Sequence, residues 1–173
     1  PSLGASVVEA AFSASAQPED RVTRGSRLFA FTMSKRDLLS CIRSDIANQF
    51  EDVMRIAPAW GTRLVVIVLQ ATIRQEYEQF STSMPTFTFP FLGQQAVLKP
   101  DGSTFWTTIG DHSHEAWWQI LVSFKKILCN FAAEQDGEKL NAALEALRDL
   151  NNLALLWNAV LDAASTAKPR LGL

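Results

Sequence analysis

Histidine, cysteine and concentrated positive charge are all scarce in this 173-residue chain, and each scarcity closes off a class of chemistry. Only two histidines are present, His112 and His114, set at i, i+2 with Asp111 and Glu115 beside them. Two histidines without a further obvious ligand fall short of a catalytic zinc site, so a metal-dependent hydrolase built on them is a distant third reading. No strand-turn-helix pattern surrounds a serine, and neither cysteine has a convincing base partner, which removes the usual nucleophiles. Gly93, Gly102, Gly110 and Gly137 stand alone at turn signals and form no phosphate-cradling loop. The expectation is no catalytic residue, no metal and no cofactor.

The two cysteines, Cys41 and Cys129, lie in helical patterns among apolar neighbours and are expected as buried free thiols. Lys and Arg total 16 against 18 Asp and Glu, a net charge of −2, so no global positive field draws the chain to nucleic acid. Any such site must be local. No apolar run reaches the roughly eighteen residues of a membrane span, and the first residues lack a leader pattern. A soluble, intracellular protein with no membrane partner is expected.

What is present in quantity is helical periodicity. Residues 1–26 are small and polar, with a turn-like Gln17-Pro-Glu-Asp20, and read as a partly flexible, extended N-terminal arm. Residues 27–32 alternate as a short strand. Ser34 then supplies an N-cap for a helix to about Met54, with Leu39, Ile42, Ile46 and Phe50 along one face. Ala57-Pro-Ala-Trp-Gly61 is a break, and a second helix is expected over residues 62–80. Its Leu64-Val-Val-Ile-Val-Leu69 would suit a buried strand, but its length and polar continuation decide for helix.

Alternation at Pro85–Pro90 and the β-branched residues at 104–109 predict a small outer ribbon. Two long helices, 114–133 with Asp111 or Ser113 as its cap and 138–165, close the pattern, leaving residues 166–173 as a tail. The last two carry Trp117, Trp118, Leu121, Val122 and Phe124, then Leu155, Leu156, Trp157, Val160 and Leu161, with no wide polar face. Such helices are buried on more than one side. Subunit contacts would achieve that, and so would one helix at the centre of a bundle. The chain is one domain over residues 27–165, mainly α.

Lys125-Lys126 is the sharpest basic feature. An adjacent lysine pair on an apolar helix is commonly just solvent-seeking. With Lys139 and Arg148 on the returning helix it could also meet a phosphate backbone, as could the helix N-terminus, although Asp136 and Glu138 occupy the same turn.

Several segments carry a family likeness: Phe29-Ala-Phe31, Asn48-Gln-Phe50, Arg74-Gln-Glu-Tyr-Glu78, Phe89-Pro90, Ala146-Leu-Arg148 and Asn151-Asn-Leu153. In order and spacing they resemble the tobamovirus-type coat proteins of rod-shaped plant RNA viruses (Virgaviridae type) over residues 27–165. The link between the last two helices is shorter than in that pattern, and the first inter-helix link is longer. The resemblance implies an antiparallel four-helix bundle with a small outer sheet, many copies of itself in a helical rod, and single-stranded genomic RNA as the other partner. It implies a virion and host-cytoplasm location. By the same resemblance Arg148 is an RNA-facing arginine, Lys125 and Lys126 lie near the family's arginine pair, and Glu78 with Glu115 forms a carboxylate pair between stacked subunits. The paired aspartates of the family fall near Asn141-Ala142 and are absent. The alternative is a non-viral four-helix interaction module that oligomerises without RNA.

Overall fold

Ser34 starts the principal helical unit. Its hydroxyl oxygen accepts from the Asp37 backbone N–H at 3.0 Å while its O–H donates to Asp37 Oδ2 at 2.6 Å, satisfying a donor that the helix start leaves orphaned. The computed structural model describes residues 3–14, 21–24, 31–77, 86–99, 112–151 and 153–167. Among them are six helices: α1 (Leu3–Ser13), α2 (Lys35–Ile56), α3 (Pro58–Tyr77), α4 (Ala116–Ala133), α5 (Gly137–Leu150) and α6 (Ala154–Ala167). Two antiparallel ribbons pair β1 (Arg21–Arg24) with β2 (Phe31–Ser34), and β3 (Phe87–Phe91) with β4 (Gln94–Leu98). The fold is therefore mainly helical with small antiparallel sheet, and no described helix is long and apolar enough to cross a membrane.

The expected break after α2 shrinks to one residue. Pro58 disfavours helical backbone at Ala57, which sits at φ −137°, ψ 75°, and Pro58 itself opens α3, where its missing N–H costs nothing. Gly61 is needed at this elbow, because a Cβ there would run into the Met54 side chain and lie 3.0 Å from the Met54 Cα. Along α3, Leu64, Val65, Val66, Val68, Leu69 and Ala71 are all buried. Packing by α1, α2, α4 and α5 around this helix outweighs the weak helix propensity of its β-branched run.

Two elements appear inside the expected arm. Residues 3–13 form α1, whose Ala5, Val8, Ala11 and Phe12 are buried against α3 and α2, and residues 21–24 form β1. The spacing 5, 8, 12 is one helical face, masked in the sequence because Ala5 and Ala11 make up half of the buried residues. The strand expected over residues 27–32 is observed at Phe31–Ser34; residues 25–30 lie outside the described set, as do 78–85, 100–111 and 168–173.

The helix expected over residues 138–165 is two helices. The Asn151 side chain, 2% exposed, receives the Leu153 N–H at 2.9 Å and donates to the Leu153 carbonyl at 3.1 Å. These bonds offer the backbone an alternative to continuing the helix. At the other end of α5 the chain leaves α4 through Gln135 at φ 59°, with the Asp136 N–H reaching the Phe131 carbonyl at 3.0 Å, a Schellman-type stop built without glycine. Asp136 then caps α5 by accepting from the Lys139 N–H at 3.2 Å.

The apolar stripe of α4 is Trp117, Ile120, Leu121, Phe124, Ile127, Leu128 and Phe131, a continuous i, i+3, i+4, i+7 series. α4 packs against α2, α3, α5 and α6 of its own chain. Much of its circumference is thus covered internally, as a central helix requires.

Candidate nucleic-acid interface and subunit contacts

The four cations expected at RNA do not converge. Each meets an acid of its own fold. Lys125 Nζ lies 2.6 Å from Asp162 Oδ2 on α6, whereas Lys126 Nζ lies 2.9 Å from Glu51 Oε1 on α2, so the adjacent lysines reach to different neighbouring helices. Lys139 Nζ bridges Asp136 Oδ2 at 2.9 Å and sits 5.9 Å from the Phe131 ring centroid. Arg148 donates through Nε to Asp149 Oδ1 at 2.7 Å and through Nη1 to the Leu92 carbonyl at 3.4 Å; its side chain is only 8% exposed. Arg148 lies nine positions after Lys139 on α5, about 13 Å along the axis. These pairs hold helices and turns together.

The electrostatics agree with that structural role. The hydrogen bond from Lys126 holds the Glu51 carboxyl below its ordinary range, against the opposing pull of desolvation, with Arg55 adding a second cation at 3.3 Å. Hydrogen bonds from the Lys139 side chain and backbone depress Asp136, and the same side-chain bond raises Lys139. Asp149, as hydrogen-bond acceptor, raises Arg148.

Glu115 is exposed at the N-cap position of α4 and makes no side-chain cap hydrogen bond. Of the two caps expected for α4, Asp111 lies outside the described residues, and the Ser113 carbonyl accepts from Gln119 Nε2 at 3.3 Å. Glu78 lies outside them too, so its pairing with Glu115 is not described. His112 lies against Trp117 and Trp118 with its ring tilted to both, centroids 5.1 and 6.1 Å apart, and no group of three His, Cys, Asp or Glu that could hold a metal occurs among the described residues. Both cysteines are free, but Cys41 is exposed and Cys129 only half-buried, correcting the expectation of two buried thiols. They fall on flanks of α2 and α4 that no neighbouring helix fully covers.

Trp157 is covered within its own chain. Its indole is buried beneath Phe89 and Phe91, with centroids at 5.0 and 5.2 Å in edge-to-face geometry, and its Nε1 donates to the Val97 carbonyl at 2.9 Å. The β3–β4 ribbon therefore covers Trp157, while α6 packs mainly against α4.

Large apolar side chains do remain exposed on separate elements. They include Val7 on α1, Ile56 at the end of α2, Phe87 and Leu92 on the β3–β4 hairpin, Val122 on α4 and Leu161 on α6. Arg43 is a contact that the sequence does not announce: from α2 it donates to the Ala11 and Ala14 carbonyls at 2.9 Å each and lies 5.7 Å from the Phe12 ring centroid, tying down the C-terminus of α1. An arginine among the polar residues of an amphipathic helix carries no mark of such a partner. No protein-family model matches this chain, and no curated protein or solved structure does either.

Proposed function

We propose that this chain is a structural coat protein that self-assembles helically around single-stranded RNA to form a rod. One observation carries the self-assembly half: among the described residues, large apolar side chains stay exposed on six separate elements (α1, α2, the β3–β4 hairpin, α4, α5 and α6), although the core is otherwise closed. Apolar groups spread over several faces suit a subunit with several neighbours better than a monomer or a single dimer interface. The antiparallel four-helix arrangement and the RNA half rest on the sequence resemblance.

The second reading, an oligomerising helical module without RNA, is favoured by a specific observation as well. All four expected RNA cations are neutralised within the fold. RNA phosphate would have to compete with these carboxylates, so binding would be weak per contact and steeply dependent on salt.

Electron microscopy and nuclease protection of the purified full chain, with and without a long single-stranded RNA, separate the readings. Rods with a central channel that protect the RNA, with protection falling as salt rises, are expected. Ordered assemblies that never protect RNA select the module. A chain that sediments as a monomer at every pH and salt concentration overturns both.

A further inference from the structure

Positive charge is unevenly spread along this chain, and its densest stretch lies far from α4 and α5. Residues 21–36 hold five of the 16 lysines and arginines, Arg21, Arg24, Arg27, Lys35 and Arg36, and none of the 18 acids, a local +5 in a chain of net −2. Glu19, Asp20 and Asp37 flank the stretch. Arg27 lies outside the described residues.

The β1–β2 ribbon gathers part of this charge in one place. Arg21 pairs across the ribbon with Ser34, which is both the last residue of β2 and the N-cap of α2, so ribbon runs into helix without a linker. Opposed Cα atoms of an antiparallel pair lie about 4.5–5.5 Å apart and consecutive ones about 3.8 Å, which puts the Arg21 Cα within roughly 13 Å of those of Lys35 and Arg36. Residues alternate between faces along a strand and opposed residues share a face. Arg21, Thr23, Thr32 and Ser34 therefore occupy one face of the ribbon, and Val22, Arg24, Phe31 and Met33 the other. The first face is polar throughout.

Lys35 and Arg36 are exposed, and Arg36 makes no ion pair or hydrogen bond among the described residues. In this it differs from Lys125, Lys126, Lys139 and Arg148, each of which meets an acid of the fold. Asp37 is the one acid in the first turn of α2, and its carboxylate accepts from the Ser34 hydroxyl at 2.6 Å.

We infer that the face formed by Arg21, Thr23, Thr32, Lys35 and Arg36 is where this chain contacts the phosphate backbone of single-stranded RNA. The inference rests on the RNA half of the coat-protein reading and moves its contact from α4 and α5 to the N-terminal ribbon. Arginine, lysine and hydroxyl groups are the usual partners of phosphate and sugar, and cations on phosphate release counterions. No aromatic residue falls on this face for bases to stack on, so binding is independent of RNA sequence. An anionic membrane is the poorer match, because the face carries no apolar residue to insert beside its charges.

The test titrates the full chain with a labelled oligouridylate by fluorescence anisotropy at several salt concentrations, with phosphatidylserine vesicles as a second arm. On single strands each phosphate contact contributes about −0.7 to the slope of log K against log salt. Arg21→Gln/Arg36→Gln is expected to keep the circular dichroism of wild type, to bring the slope nearer zero by about 1.4, and to lose at least about tenfold in affinity at low salt. Arg36→Gln alone, at an exposed position, shifts the slope by about 0.7 and tests the site even where the double variant disturbs the ribbon. Lys125→Gln/Lys126→Gln keeps the wild-type slope. An unchanged slope in both arginine variants, or a slope lost only in the lysine variant, overturns the inference and leaves the RNA reading standing with its contact elsewhere. Vesicles bound more tightly than oligouridylate, and released by the same arginine changes, overturn RNA as the occupant. A wild-type chain that binds no oligouridylate at any salt concentration removes both the inference and the RNA half of the reading.

Discussion

Lys126 and Glu51 stand 75 positions apart in the chain and form a 2.9 Å ion pair that joins α4 to α2, with Ser123 Oγ donating to the same carboxylate oxygen at 3.4 Å. The pair shows how this fold spends its charge. A lysine that reads as a ligand for phosphate is engaged in fastening one helix to another.

The pair makes stability depend on acid. Because the folded-state pKa of Glu51 is lowered, its contribution is present above the unfolded value near 4.5 and fades as pH falls through the lower folded value. The side chains are 32% and 56% exposed, so solvent screening limits the effect to roughly 0.5 kcal/mol. Glu51→Gln is expected to lower stability by about that much at pH 7 and to converge on wild type as pH falls below the unfolded value near 4.5, measured by urea unfolding. A deficit that persists unchanged at low pH would show that Glu51 acts through packing instead.

Asn151 decides where α5 stops. Both polar atoms of its buried side chain are bonded to Leu153, and alanine leaves those backbone groups unpaired, at a cost of about 1–3 kcal/mol. Asn151→Ala should therefore unfold at clearly lower urea concentration. An unchanged midpoint would mean that the helix simply continues through the position.

Thr62 predicts the opposite sign. Its hydroxyl is buried without a hydrogen-bond partner, so Thr62→Val keeps the shape and removes a desolvated polar group. Stabilisation by about 1 kcal/mol is expected in chemical denaturation. A loss of stability would reveal a bond to that oxygen in solution.

Arg43 controls the docking of α1. An 11-residue helix is marginal alone, and α1 has no basic residue in its last turn to satisfy its carbonyls. Arg43→Ala removes that cap and the Phe12 contact, so amide exchange in residues 3–14 should accelerate at least about tenfold while α4 and α5 stay protected. Uniform exchange across the chain in variant and wild type alike would place the anchor elsewhere.

Local rules made α2 legible from its first residue, since Ser34 caps, Pro58 stops, and Ile42, Ile46 and Phe50 repeat at one helical face. The same holds for the alternating β3 and for the apolar face of α4. These are properties of neighbours in sequence, where capping, steric restriction and periodicity act without knowledge of the rest of the chain. The helix in the arm is hidden because alanines make half of its buried face, and the stop at Asn151 because asparagine inside a helical pattern reads as tolerated. Whether Trp157 meets another subunit or its own ribbon, and whether Lys125 meets phosphate or Asp162, is undetermined by periodicity: a helix face specifies that it will be covered, not by what. Only the packing of distant segments chose the Phe89–Phe91 ribbon for the tryptophan and the carboxylates of α2 and α6 for the lysines, because burial and pairing are satisfied by whichever group the fold brings within reach.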